Sequence, residues 1–290
     1  MSKLIFGCGY LGKRVAARYV AQADTVYAVT RSAARAAELE AAGLLPVVAD
    51  ITRRETLASL PEVETVIVAV GFDRSTGLSI HQTYVAGMEN VLAALPTTVT
   101  RVIYISSTGV YGQGDGSVVD EDSPTQPTRA GGRACLAAEE LLARYLLGRG
   151  AVVLRLAGIY GPGRLPRSAQ LIDREPLPVD PETYLNLIHV DDAAEAVLAA
   201  DRLDPAAALR RFCISDGHPI LRGDYFAELA RQLDTPLPVF EPDAAAAGGE
   251  PRRGSGSKRV SNARMLAELD FTLTYPTWRE GLAASLAAAG

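Results

Sequence analysis

Leu4-Ile5-Phe6-Gly7-Cys8-Gly9-Tyr10-Leu11-Gly12 decides the fold: three apolar residues run into a G-x-G-x-x-G turn, and Val15, Tyr19 and Val20 follow at helical spacing. Strand, tight turn and helix N-terminus are the parts of a dinucleotide-binding unit. Gly7 permits the turn, Gly9 leaves bare backbone for a pyrophosphate, and Gly12 lets helix pack on strand. The unpaired N–H groups and positive dipole end of that helix would then face the phosphates, with Cys8, Tyr10 and Leu11 beside them. Gly7 to Lys13 also spell G-x-x-x-x-G-K, the start of a nucleoside-triphosphate loop. Arg14 stands where that loop needs a Ser or Thr hydroxyl for magnesium, which favours the dinucleotide reading. A glycine turn that binds nothing is the bland alternative.

Outward from the turn, strand-like and helix-like segments alternate. Strands are expected at 25–29, 44–49, 66–70, 102–105 and 152–156, and helices at 32–42, 80–95 and 134–147. Thr52-Arg53-Arg54-Glu55 reads as a capping box opening a short helix. Continuous apolar runs such as 66–70 suit strands covered on both faces. The pattern predicts an α/β fold, a doubly wound parallel (Rossmann) sheet with its ligand at the carboxyl ends of the strands. After residue 157, prolines 162, 166, 176, 178 and 181 break the periodicity. A helix capped by Asp191 or Asp192 and running to residue 200, a strand at 212–214, a helix at 225–233 and short helices near Arg264 and Trp278 complete the expectation. This divides the chain into a dinucleotide-binding domain, 1–160 with segments of about 187–215 returning to it, and a smaller C-terminal substrate lobe, 161–186 and 216–290. Residues 244–256 are low in complexity.

The chain has 290 residues, 48% of them hydrophobic, and a net charge of −5, so nucleic acid is an unexpected partner. The one basic run, 251–259, falls in a Gly/Ser-rich stretch that reads as a loop able to meet an anionic ligand. Cys8, Cys135 and Cys213 are far apart and lack metal-ligand spacing, so no metal is expected and a reducing compartment fits them. The N-terminus enters the first strand without a signal-like segment, and no apolar run approaches a membrane span. A soluble, cytoplasmic protein with no membrane partner is the expectation.

The residue closing the second strand faces the adenosine ribose, where an acid selects NAD and an arginine accommodates a 2′-phosphate. Thr30-Arg31-Ser32 stands there without an acid, and a guanidinium beside a hydroxyl at a helix start suits a phosphate dianion. NADP is therefore predicted in preference to NAD, against the alternative that Arg31 is a solvated surface residue. Asp50 reads equally as an acceptor for the adenine amino group or as a helix cap. Ala69-Val70-Gly71 lies beneath the expected ribose and nicotinamide path.

Tyr104-Ile105-Ser106-Ser107-Thr108-Gly109-Val110-Tyr111-Gly112 resembles the serine-bearing segment of extended short-chain dehydrogenases/reductases, the superfamily of nucleotide-sugar epimerases and dehydratases. Residues 154–163, LRLAGIYGPG, are similar to its R-x-x-x-x-Y-G-P-G. Residues 186–193, NLIHVDDA, resemble its h-H-V-D-D, and Asp216-Gly217-His218-Pro219 and residues 266–271 its C-terminal segments. The resemblance covers nearly the whole chain and implies a nicotinamide cofactor and a small-molecule substrate. It departs at the chemistry. In P-x-x-x-Y-x-x-x-K-L-x-x-E the tyrosine moves a proton and the lysine lowers its pKa and holds the ribose. Here Pro127 to Glu139 match the flanks, but Gly131 stands at the tyrosine position and Cys135 at the lysine position; Tyr84 replaces the usual asparagine. The chain thus resembles an atypical branch with a degenerate active site, an NAD(P)-dependent epimerase/dehydratase in outline.

Two functions follow. In the first, a reductase or epimerase acts on a sugar-nucleotide-like or small carbonyl substrate. Ser107 and Thr108 would bond the reacting oxygen, and Tyr84, Tyr160 or His189 would supply the proton. Each of these three equally suits a packing role. In the second, the protein binds NADP as a catalytically silent sensor or partner. Arg129, Arg133 and Arg164 are candidates to meet an anionic substrate. The helices at 80–95 and 134–147 correspond to those that pair in dimeric relatives, so a homodimer is permitted; core packing explains the same pattern.

Overall fold

The computed structural model describes residues 1–145, 150–205, 209–241 and 256–288. The end of the helix expected at 134–147, and positions 244–255 of the low-complexity stretch with Arg252 and Arg253, lie outside the described residues. The first half runs β1 (Ser2–Phe6), α1 (Gly12–Ala21), β2 (Thr25–Thr30), α2 (Ala33–Ala41), β3 (Leu45–Val48), β4 (Thr65–Val68), α3 (Gly87–Ala94), β5 (Arg101–Ser107), β6 (Val118–Val119), α4 (Ala130–Tyr145) and β7 (Gly150–Leu156). Then come β8 (Gly158–Tyr160), α5 (Ser168–Ile172), β9 (Tyr184–Leu185), β10 (Leu187–His189), α6 (Val190–Asp201) and β11 (Arg210–Ile214). β12 (Ile220–Leu221), α7 (Arg222–Gln232), β13 (Arg259–Val260), α8 (Ala263–Glu268) and α9 (Trp278–Ala287) complete the order.

Seven strands form one sheet in the order β11-β7-β5-β4-β1-β2-β3, every neighbouring pair parallel. The order reverses beside β1, so the crevice at the carboxyl ends opens between β1 and β4. Leu4, Ile5 and Phe6 are fully buried because helices cover both faces. On one face the apolar stripe of α1 (Val15, Ala16, Tyr19) packs with α6, whose alanines permit close approach. On the other, Met88, Val91 and Leu92 of α3 join Ala138 and Leu142 of α4. A separate cluster of Tyr160, Leu187, Tyr225, Phe226, Leu229, Trp278 and Leu282 forms the core of the C-terminal part.

Local signals misled in two places. Thr52 does not cap a helix: its hydroxyl donates to Asp50 Oδ1 at 2.7 Å, and a single 3₁₀ turn, Arg54–Leu57, follows without a side-chain cap. Nor does an aspartate cap α6. His189 takes that place, Nδ1 accepting from the Asp191 amide at 3.3 Å, and both Asp192 oxygens instead accept from the Thr274 and Tyr275 amides. The helix expected at 80–95 contains a π-helical turn, Gln82–Ala86, before α3.

Candidate functional site

A cleft of about 1580 Å³ opens at the carboxyl ends of β1, β2, β4 and β5. Gly7, Cys8, Gly9, Tyr10 and Leu11 line it, with Thr30, Arg31, Ser32, Asp50, Ala69, Val70, Gly71, Tyr84 and Ser107. Gly7 has φ +92°, and a β-carbon there would collide with the Ala69 backbone. Gly12 stands just behind, where a β-carbon would strike the Gly7 carbonyl oxygen. Gly9 differs, since a β-carbon on it would meet no atom within 4 Å. The cradle is therefore open where a pyrophosphate needs bare backbone. α1 has no side-chain cap and no acid in its first turn, so its dipole end is uncompensated. These features fit a dinucleotide.

At the adenosine end, Ser32 caps α2, its hydroxyl accepting from the Arg35 amide at 3.3 Å. Arg35, absent from the sequence reading, lines the cleft and sends Nη2 back to the Cys8 carbonyl at 3.2 Å. Arg31 is ion-paired with Asp73 at 2.9 Å. Asp50 Oδ1 accepts from the Thr52 amide and hydroxyl.

At the other end, Ser107 Oγ accepts from the Gly109 amide at 3.0 Å. Tyr84 accepts from the Phe72 amide at 3.0 Å, which fixes its hydroxyl in the cleft wall. Thr108 is buried behind Ser107 in a 3₁₀ turn. Tyr160 and His189 stand elsewhere: both are 0–1% exposed, Tyr160 in the C-terminal core and His189 at the start of α6, and neither lines the cleft. Burial pushes the His189 imidazole down to about 4. A β-carbon on Gly131, at the place of the family tyrosine, would meet only the Ile80 side chain, at 3.5 Å. Cys135 shares a hydrogen bond with Tyr104, and burial pushes its thiol up to about 11. A protonated thiol there is no nucleophile.

Beneath this floor lies a buried network. Ser106 Oγ donates to Glu139 Oε1 at 2.6 Å, and Arg155 reaches both Glu139 oxygens, with Nη2 to Oε2 at 2.7 Å. Arg155 Nη1 also donates to the Tyr111 hydroxyl at 2.8 Å.

Four cations from distant segments lie within electrostatic reach of one another, two of them in the cleft wall. Arg129 and Arg167 line the cleft. Arg222 is 6% exposed and donates to Thr183 Oγ1 at 2.6 Å; Lys258 Nζ donates to the Tyr111 carbonyl at 3.2 Å. Burial, then the Arg129 and Arg222 charges, push the Lys258 ammonium down to about 8. Burial pushes Arg222 down to about 10, with Asp180 opposing and Arg167 and Arg129 adding to the fall. Ser107 and Arg129 flank Gly109: a β-carbon there would lie 3.2 Å from Ser107 Oγ and 3.5 Å from Arg129 Nη2. Arg164 lies over the Tyr10 ring in the cleft, whereas Arg133 is exposed at the start of α4 with Nη1 on the Thr128 carbonyl. Arg222 carried no signal in the sequence, and Lys258 only that of its basic run.

Two buried groups tie stability to pH in opposite senses. Burial pushes the Asp216 carboxyl up to about 7, whereas an unfolded aspartate titrates near 3.9. The folded chain therefore binds the extra proton, and this group adds stability as pH falls from about 7 toward 4. His189, at about 4 against roughly 6.5 unfolded, removes stability as pH falls through that window. Asp216→Asn should therefore steepen the acid loss of stability between pH 6.5 and 4. Urea midpoints at several pH values check this, and a pH dependence equal to the parent's would refute it.

A doubly wound sheet with a glycine cradle at its switch point, and a serine-bearing β5 facing that cradle, define a fold of the extended short-chain dehydrogenase/reductase class. The chain belongs to the NAD dependent epimerase/dehydratase family, whose sequence pattern matches residues 4–208. It is similar to Protein YeeZ of Escherichia coli K12, 31% identical over 191 residues, 66% of this chain and 64% of that protein, so the match spans less than two thirds of YeeZ. A 4-hydroxy-2-methyl-3-oxo-4-farnesyl-3,4-dihydroquinoline-1-oxide ketoreductase of Stigmatella aurantiaca is 30% identical, covering 74% of this chain and 67% of that enzyme. The fold is shared with UDP-glucose 4-epimerase from Bifidobacterium longum in complex with NAD+ and UDP: TM-score 0.81, 17% identity, 99% of this chain and 98% of that one. Among the described residues no helix is long and apolar enough to cross a membrane, and no group of three metal-ligating side chains occurs. The three cysteines are free and buried.

Proposed function

We propose that the chain binds NADP in this cleft and acts as a reductase or epimerase on a small carbonyl or sugar-nucleotide-like substrate that carries an anionic group. The observation that carries this reading is a pair of cleft-lining arginines, Arg129 and Arg167, with Arg129 beside Ser107 across Gly109. Burial, with the Arg129 charge adding to it, disfavours the charged forms of Lys258 and Arg222, and an anion bound at Arg129 would relieve that cost. The bound cofactor would donate hydride to, or accept it from, the substrate carbon. Gly7 to Leu11 and the N-terminus of α1 hold the pyrophosphate, and Arg31, Ser32 and Arg35 face the 2′-phosphate. Ser107 bonds the reacting oxygen and Tyr84, the candidate donor in the cleft wall, moves its proton. A positioned acid or base contributes about 10²–10⁴-fold, so without the Tyr/Lys pair turnover should be slow. Positioning of the reactants by the cleft is what remains to drive it.

A second reading, a silent NADP-binding sensor or partner, is favoured by Gly131, without a side chain, at the tyrosine position and the buried Cys135 thiol at the lysine position. The separating experiment is a single-turnover assay, with NADPH-loaded protein mixed with panels of phosphorylated carbonyls and nucleotide sugars while absorbance is followed. Oxidation of NADPH is the expected result. Binding without any oxidation would leave the silent reading, and failure to bind a dinucleotide would remove both.

A further inference from the structure

We propose that Asp73 is an internal competitor for Arg31 and sets how strongly the adenosine end prefers a 2′-phosphate over a 2′-hydroxyl, an inference that rests on the NADP reading above. Arg31 follows β2 and Asp73 lies in the loop after β4, so their 2.9 Å ion pair bridges two separate walls of the cleft, both side chains lining it. A second hollow of about 480 Å³ adjoins this bridge. Arg31 stands on its rim, and Asp50, Thr52, Thr76 and Leu78 bound it.

The two Asp73 oxygens have different duties. Oδ1 accepts from the Ser75 amide at 3.0 Å and the Ser75 hydroxyl at 2.6 Å, capping the turn Arg74–Thr76. Oδ2 accepts from Arg31 Nη2 at 2.9 Å. The Ser75 contacts and Arg31 hold the carboxyl down at about 2, so Asp73 is charged at any working pH. The pair is half-exposed, 52% and 44%, and such pairs are weak enough for a dianion to break. A 2′-phosphate would draw Arg31 away, and the stranded carboxylate would then oppose the phosphate charge. A 2′-hydroxyl leaves the pair intact. Arg35 reports the same economy of charge, with Nη1 3.7 Å from Glu38 and Nη2 on the Cys8 carbonyl.

Asp73→Asn deletes the charge and keeps an oxygen for Ser75, so the turn should survive; Asp73→Ser, also able to cap, is the second variant. NADPH and NADH are titrated by fluorescence on the full chain, with 2′,5′-ADP and 5′-AMP as competitors. Either variant should raise the ratio of NADH to NADPH dissociation constants by roughly three- to tenfold, and 2′,5′-ADP should gain over 5′-AMP alike. In an Arg31→Ala background the same exchange should move the ratio less than about twofold. An unchanged ratio in both variants, or an equal change with and without Arg31, overturns the role of Asp73. A protein that binds neither dinucleotide, or one in which Arg31→Ala weakens both equally, overturns the NADP reading instead.

Discussion

Glu139→Ala is expected to destabilise the folded chain by about 3–5 kcal/mol, the usual range when one partner of a buried ion pair is removed. Glu139 is 1% exposed and Arg155 3%, so the guanidinium left behind could neither reach water nor find a second carboxylate nearby among the described residues. The loss would spread. Ser106 would lose its 2.6 Å acceptor, and Arg211, 3.7 Å from Glu139, would lose its acid. Tyr111 would remain as the Arg155 acceptor, but a neutral phenol does not offset a buried positive charge. Glu139→Gln should recover part of the loss, because an amide oxygen still accepts from Ser106. Equilibrium urea denaturation reads the difference, and a cost for the alanine variant below about 1 kcal/mol would mean that the network is solvated. The network ends one residue short of Ser107, so its integrity also sets where that hydroxyl stands.

The elements that positioned the site were legible because their signals are local. The apolar run before Gly7, the glycine spacing and the alternation of strand and helix are read within a few residues, and they gave the sheet and its switch point. Glu139 and Arg155 showed only as members of motifs, since the sixteen-residue interval between them carries no sign of a contact. The cations were less visible still: Arg129, Arg167, Arg222 and Lys258 come from four segments and come within electrostatic reach only through tertiary packing. Arg35 was missed because its guanidinium reaches back over the turn rather than along its own helix. Thr52 and Asp191 failed for a different reason. Each sits where a cap belongs, but Asp50 claims the first hydroxyl and His189 supplies the cap of α6, competition that propensity does not register. Tyr160 and His189 were placed by motif near the nicotinamide end, yet the C-terminal core and α6 bury them.

Gly9→Val should leave folding intact and abolish dinucleotide binding, weakening it by about 100-fold or more. The fold tolerates it because a β-carbon at Gly9 has no neighbour within 4 Å and the backbone there is not left-handed. The site does not, because the added methyls would occupy the space in which a pyrophosphate must lie against the turn and the first N–H groups of α1. About 100-fold corresponds to roughly 2.7 kcal/mol, the scale of losing charge-assisted hydrogen bonds to a phosphate. Gly7 could not serve this purpose: its β-carbon would strike Ala69 at a φ of +92°, so a change there disturbs fold and site together. A Gly9→Val protein with parental thermal stability and no NADPH fluorescence enhancement is the expected outcome. Binding within tenfold of the parent would place the dinucleotide elsewhere, and an anion in the cleft would then meet Arg129 and Arg167 without a cofactor beside it.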